Sequence, residues 1–178
     1  ISLSNLAFPS GQEHALLPML SEKGLRGIEV APTRIAPWKD LSVSRIRQYK
    51  SMLGDIGLSV PALQSIFFGA HGIALLQDNH SFGLLVDHLR RVSEIAIELG
   101  AKTLVFGAPK QRARGDLSKE AACDLGLSRL WECAEVCKRA GNLVIGLEPV
   151  PSAYGGDFLC TSSDVTSMIH RVSHPSLR

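Results

Sequence analysis

Short apolar runs alternate along this chain with longer stretches in which apolar residues recur every three or four positions. Short runs bounded by glycine or proline read as strands, and the longer spacing reads as one face of a helix. Ile1–Asn5 is the first run, and Gln12–Lys23 follows with a stripe at Ala15, Leu16, Met19 and Leu20, stopped by Gly24. Arg26–Ala31 predicts a second strand. Ser42–Ile56 predicts a helix (Ile46, Tyr49, Met52, Leu53, Ile56) closed by Gly57, and Leu58–Ile66 a third strand. Ser81–Leu99 predicts a long helix ended by Gly100, and Thr103–Phe106 a fourth strand. Ser118 has the place of an N-cap for a helix running to Ala140, with Gly141 ending it. Leu143–Glu148 predicts a fifth strand. Thr161 with Asp164 resembles a capping box opening a helix to about Val172, and Ser176-Leu177-Arg178 starts a sixth strand.

Strand followed repeatedly by helix implies right-handed βαβ units and a parallel sheet. Such a sheet either closes into a barrel or stays open and doubly wound. An open nucleotide-binding sheet carries a glycine-rich turn after an early strand, whereas the turn here is Leu6-Ala7-Phe8-Pro9-Ser10-Gly11. The expected fold is therefore α/β, a (β/α) TIM barrel forming a single domain over 1–178. A full barrel takes about 250 residues, so this one is expected to be incomplete, from the first strand to the start of the sixth. Open strand edges invite association, so the chain alone is expected to be aggregation-prone or dimeric and nearly inactive.

Two of the strand-like runs carry a lone glutamate: Gly27-Ile28-Glu29-Val30-Ala31-Pro32 and Leu143-Val144-Ile145-Gly146-Leu147-Glu148-Pro149. A carboxylate within an apolar run is costly unless it meets a cation, a metal or a substrate. Pro149 stops the strand and leaves Glu148 at its carboxyl end, which in a barrel is the catalytic face. Side chains alternate along a strand. Glu29 therefore shares a face with Gly27 and Ala31, and Glu148 with Val144 and Gly146, with the branched residues opposite. By the same parity Gln64 faces inward at the end of the third strand.

The net charge of +2 gives no basic footprint for nucleic acid or an anionic membrane. No run approaches the roughly 20 apolar residues of a membrane span, and the first residues lack the basic-then-apolar pattern of a signal peptide. Four cysteines form no dense disulfide framework and suit a reducing cytoplasm. Cys133 and Cys137, one helical turn apart, read as a metal clasp or, more simply, as a buried helix face.

Taken in order, Ser4-Asn5-Leu6-Ala7-Phe8, Gly27 to Pro32, Gln64 to Gly69, Leu104-Val105-Phe106-Gly107-Ala108-Pro109-Lys110 and Leu147-Glu148-Pro149 resemble the xylose-isomerase-like TIM-barrel superfamily, in its sugar phosphate isomerase/epimerase branch. The resemblance implies that Glu148 is a divalent-metal ligand (Mn, Mg, Co or Zn) and a catalytic base. It places the remaining ligands at the ends of strands six to eight, beyond Arg178. The implied reaction moves a proton beside a carbonyl through an enediolate. Glu29, Gln64 and Phe8 are expected to contact the sugar, and Lys110 and Arg112, in a loop that also carries Arg114, to bind a phosphate on it. Tyr154 and Asp157 sit in a long loop suited to a lid. Related DNA-repair endonucleases bind zinc through histidines ending strands three and four, where this chain has Gln64 and Phe106-Gly107. The leading expectation is a metal-dependent sugar or sugar-phosphate isomerase/epimerase. An apurinic-site endonuclease-like phosphodiesterase and a non-catalytic sugar-binding remnant are its rivals.

Overall fold

Parallel strands lie side by side in chain order, each returned by a helix, in a computed structural model that describes residues 1–9 and 11–178. Ser10, part of the stretch 6–11 that the sequence predicts as a turn, lies outside the described residues. The strands are β1 (Ser2–Ser4), β2 (Gly27–Glu29), β3 (Ala62–Leu63), β4 (Thr103–Phe106) and β5 (Val144–Leu147). The helices are α1 (Glu13–Glu22), α2 (Val43–Asp55), α3 (Asn79–Leu99), α4 (Lys119–Gly141) and α5 (Ser162–Val172).

β1 pairs with β2, and β3 with β4 and β4 with β5, all parallel. Isolated parallel bridges, Gly27 with Ser59 and Val30 with Leu63, join the two groups. Past β5 the order continues, because Leu177 bridges Ile145 and the Leu147 N–H donates to the Arg178 carbonyl at 2.7 Å. A doubly wound sheet reverses its strand order at a switch point. Sequential order without reversal makes this a partial barrel.

Burial follows the pleat. Ile28, Val30, Leu63, Leu104 and Ile145 have no exposure, while Glu29, Thr103, Val105, Val144 and Gly146 on the opposite face are partly open. The buried face packs under the helices, against Leu85, Leu89 and Val92 of α3 and Leu130 and Ala134 of α4. Cys133 and Cys137 belong to that packed face. Burial pushes both thiols up, Cys137 to about 12, so they remain protonated. Among the described residues no group of three His, Cys, Asp or Glu is placed to hold a metal ion, and no helix is long and apolar enough to cross a membrane.

Several boundaries differ from the expected ones, three of them for a reason visible in the structure. β3 shrinks to two residues, because Pro61 before it has no N–H to give the ladder and Ser65 beyond it turns left-handed at φ +50°. α3 starts early because Asp78, not Ser81, is its N-cap: the Asp78 carboxylate accepts from the Ser81 N–H at 2.9 Å and its hydroxyl at 2.8 Å. Those bonds, the backbone one first, pull the Asp78 carboxyl down to about 2. α4 runs through Gly141, and Asn142, at φ +55°, supplies the left-handed cap. The capping box of Thr161 and Asp164 forms as the sequence predicts.

Leu63→Ala and Ile145→Ala should each cost about 2–5 kcal/mol, because each opens a cavity between sheet and helices. Val105→Ala, on the open face, should cost about 1 kcal/mol or less. Urea denaturation of the three variants measures this, and equal losses would mean that the core had been placed on the wrong face.

Candidate functional site

The carboxyl ends of β2 to β5 deliver Glu29, Gln64, Gly107 and Glu148 to one cleft of about 560 Å³, with Phe68 and Lys110 at its rim. Its floor is knit across the strands. The Ser2 hydroxyl on β1 donates to Glu29 Oε1 at 2.8 Å. Gln64 Nε2 reaches over β2, donating to the Glu29 carbonyl at 3.0 Å and to the Ser4 hydroxyl. Wholly buried Asn5 accepts the Ala31 N–H at 2.9 Å, tying the end of β1 to that of β2.

Glu148 differs in kind from Glu29. Its residue is exposed, and among the described residues its carboxylate has no hydrogen-bond or ion-pair partner. Gly107 makes room for it: a Cβ there would stand 2.7 Å from Glu148 Oε2. Immediately past Gln64 and Gly107, Ser65 and Ala108 take left-handed backbone, φ +50° and +37°. Such conformations cost non-glycine residues about 1–3 kcal/mol each and concentrate at functional sites.

The loop after β3 is held from behind. His88 of α3 donates Nε2–H to the Ile66 carbonyl at 2.8 Å and lies between the Trp38 ring (4.5 Å) and the Phe67 ring (5.7 Å). Trp38 Nε1–H donates to the Phe68 carbonyl at 2.7 Å, and the Phe68 ring is left 72% exposed. Sequence reasoning passed over Phe68 and Gly107 as individual residues, although both lie inside the motifs that carried the resemblance.

Glu29, Gln64, Glu148 and Lys110 are brought together as the sequence predicts. Arg112 and Phe8 are corrections. Phe8 is packed in the core and is no wall of the cleft. The chain turns back at Ala108, whose carbonyl accepts the Arg112 N–H at 3.3 Å. That turn carries the Arg112 side chain beneath the end of β4, where it is 1% exposed and out of reach of a substrate phosphate. There Nη1 donates to the Phe106 carbonyl at 3.3 Å and Nη2 to the Leu159 carbonyl at 3.2 Å. Burial lowers its pKa, and the Cys160 and Glu148 side chains push the other way. Tyr154 is 77% exposed, Asp157 is taken by the Arg114 backbone N–H at 3.0 Å, and neither lines the cleft.

A divalent ion needs four or more ligands. Glu148 offers one uncommitted carboxylate, and the Glu29 carboxylate already accepts from Ser2. The described residues therefore do not complete a divalent-metal site by themselves.

The family described as xylose isomerase-like TIM barrel matches residues 17–178. This chain belongs to it. Among solved structures, a D-psicose 3-epimerase determined in the presence of D-fructose superimposes with a TM-score of 0.78 at 14% identity, over 99% of this chain and 61% of that one. An AP endonuclease of family 2 from Brucella melitensis gives 0.68 at 15% identity, over 99% and 66%. A xylose isomerase-like TIM-barrel protein from Mycobacterium smegmatis, in complex with magnesium, gives 0.62 at 18% identity, over 96% and 56%. This member of the family thus spans less than two thirds of the length of each, and identities this low speak for the fold alone.

His88 gives the site's frame an acid sensitivity. Burial, with Arg91 adding to it, lowers its pKa below the ordinary 6.5. The neutral form is therefore favoured in the fold, and its contribution is complete above pH 6.5 and is lost as pH falls toward the depressed native value. His88→Gln, which keeps a donor for Ile66, should flatten the loss of stability between about pH 7 and pH 5. Urea midpoints at the two pH values measure it, and an unchanged slope would remove His88 from the account.

Proposed function

We propose that the protein serves a sugar isomerase or epimerase reaction, in which a proton beside a carbonyl is removed and returned through an enediolate. The observation that supports this most is the uncommitted Glu148 carboxylate, held over Gly107 in a cleft that also presents Glu29. Proton abstraction from carbon needs a carboxylate oxygen whose lone pair no donor already occupies. Glu148 fits that role. Glu29, steadied by Ser2 through Oε1, keeps Oε2 for a substrate hydroxyl, and Gln64, locked by its own bonds, fixes the floor against which the sugar rests. The exposed Phe68 ring offers an apolar face to the C–H side of a sugar. A divalent ion (Mn, Mg, Co or Zn), when bound, would stabilise the charge of the enediolate oxygens, and Glu148 is the candidate ligand on this chain. The four cysteines are free thiols, which suits work in a reducing cytoplasm.

The test is proton exchange at carbon. Ketoses and ketose phosphates incubated with the protein and divalent metal in D₂O should gain deuterium beside the carbonyl. Glu148→Gln should slow this at least about 100-fold without changing the circular dichroism spectrum. Exchange that survives in Glu148→Gln, or cleavage of abasic DNA without any sugar exchange, would overturn the proposal.

Among the described residues lining the cleft, Lys110 is the one Lys or Arg, so it carries the expectation of a phosphorylated substrate. Lys110→Ala should raise KM for a ketose phosphate by roughly tenfold, with little effect on the unphosphorylated ketose. Equal effects on the two would make Lys110 a solvated surface residue.

A further inference from the structure

We infer that Arg112 is the positioning residue for Glu148: its guanidinium braces both carbonyls from which the Glu148–Val150 turn is hung. The inference builds on the reading of Glu148 as the working carboxylate. Within that turn Pro149 has no N–H, so only Glu148 and Val150 offer backbone donors. The Glu148 N–H donates to the Phe106 carbonyl and the Val150 N–H to the Leu159 carbonyl, each at 3.2 Å. Those are the same two oxygens that receive Arg112 Nη1 and Nη2, at 3.3 and 3.2 Å. A carbonyl oxygen has two lone pairs, so each serves the turn and the guanidinium together.

The residue type matters. A planar guanidinium presents its Nη atoms in a fixed fork, whereas an ammonium is a single point of donation on a flexible stem. Arg112 thus spans from the end of β4 to the loop that follows β5. Leu159 holds left-handed backbone at φ +55°, a strained conformation that a charged donor on its carbonyl helps to hold. The placement is expensive. Arg112 is 1% exposed, has no ion-pair partner among the described residues, and leaves Nε without a hydrogen bond. Ordinary packing would favour an apolar side chain of the same volume. The Glu148 carboxylate lies close against Gly107, where a Cβ would come 2.7 Å from Oε2, so a shift of the Phe106–Gly107 peptide would reach it.

Amide hydrogen exchange, read residue by residue by NMR on the whole chain, tests the brace. In Arg112→Ala the Glu148 and Val150 amides should exchange about tenfold faster, the loss expected when a charge-assisted bond no longer supports their acceptors. The Ile145 amide, deeper in the sheet, should keep its protection. Methylguanidinium at sub-denaturing concentration should restore protection at both sites, which a merely structural defect would not allow. Arg112→Lys should relax at least one of the two, and it decides the matter if Arg112→Ala fails to fold. In the deuterium-exchange assay, Arg112→Ala should lower kcat by about 100-fold with KM little changed, again rescued by methylguanidinium. Unchanged protection of Glu148 and Val150, or a uniform loss across β5 that methylguanidinium leaves in place, overturns the inference. Relaxed amides with no sugar exchange in the unsubstituted protein would overturn the proposed function and leave the brace standing.

Discussion

Packing of one pleated face beneath the helices governs everything else in this protein. Ile28, Val30, Leu63, Leu104 and Ile145 are shut away completely. Because side chains alternate, their burial compels the neighbours on each strand to face the other way. Glu29, Val105, Gly146 and Glu148 are on the open face as a consequence, with no separate interaction needed to put them there. A slip of one residue in β5 would bury Glu148 against α4 and expose Leu147. The hydrophobic term that stabilises the sheet also aims the candidate chemistry.

What the pleat cannot do is hold a side chain still, and the cleft uses several devices for that. Polar bonds across β1 to β3 lock Glu29 and Gln64 into the floor. Glycine at 107 clears space for a carboxylate, and left-handed residues at 65 and 108 bend the chain away from the strand ends. The glycine and the left-handed residues cost local stability, which the packing of the opposite face of the sheet offsets.

Buried arginines do similar work twice. Arg112 ties the loop after β4 to the loop after β5. Arg129 of α4 donates Nη1 to the Leu75 and Gln77 carbonyls at 2.7 and 2.8 Å and Nη2 to Asn79 Oδ1 at 2.8 Å, with its guanidinium 4.7 Å from the Phe82 ring centroid. Arg129 gathers carbonyls from the loop before α3, while Arg112 takes one from the end of β4 and one from the loop after β5, both of which also accept a backbone N–H. Loops at the carboxyl ends of barrel strands carry the substrate-facing residues, so anchoring them from inside leaves their outer surface free.

The alternation of apolar runs and helical stripes was enough to read the parallel barrel, the order of its elements and the face on which Glu29, Gln64 and Glu148 stand. Those properties follow from periodicity, which is local and written directly in residue order. The Thr161 capping box was legible for the same reason, since its partners are three residues apart. Boundaries failed where one residue outweighed the pattern, as Pro61 did in β3 and Asp78 at the start of α3. Arg112 and Phe8 were misread because sequence gives the chemistry of a side chain but not its direction once a loop turns. The turn at Ala108 sends a cation inward that composition alone would have left in water. Whether a charged group meets solvent, substrate or two backbone carbonyls depends on contacts between segments far apart in the chain, such as Arg112 with Leu159, and only the folded arrangement decides those.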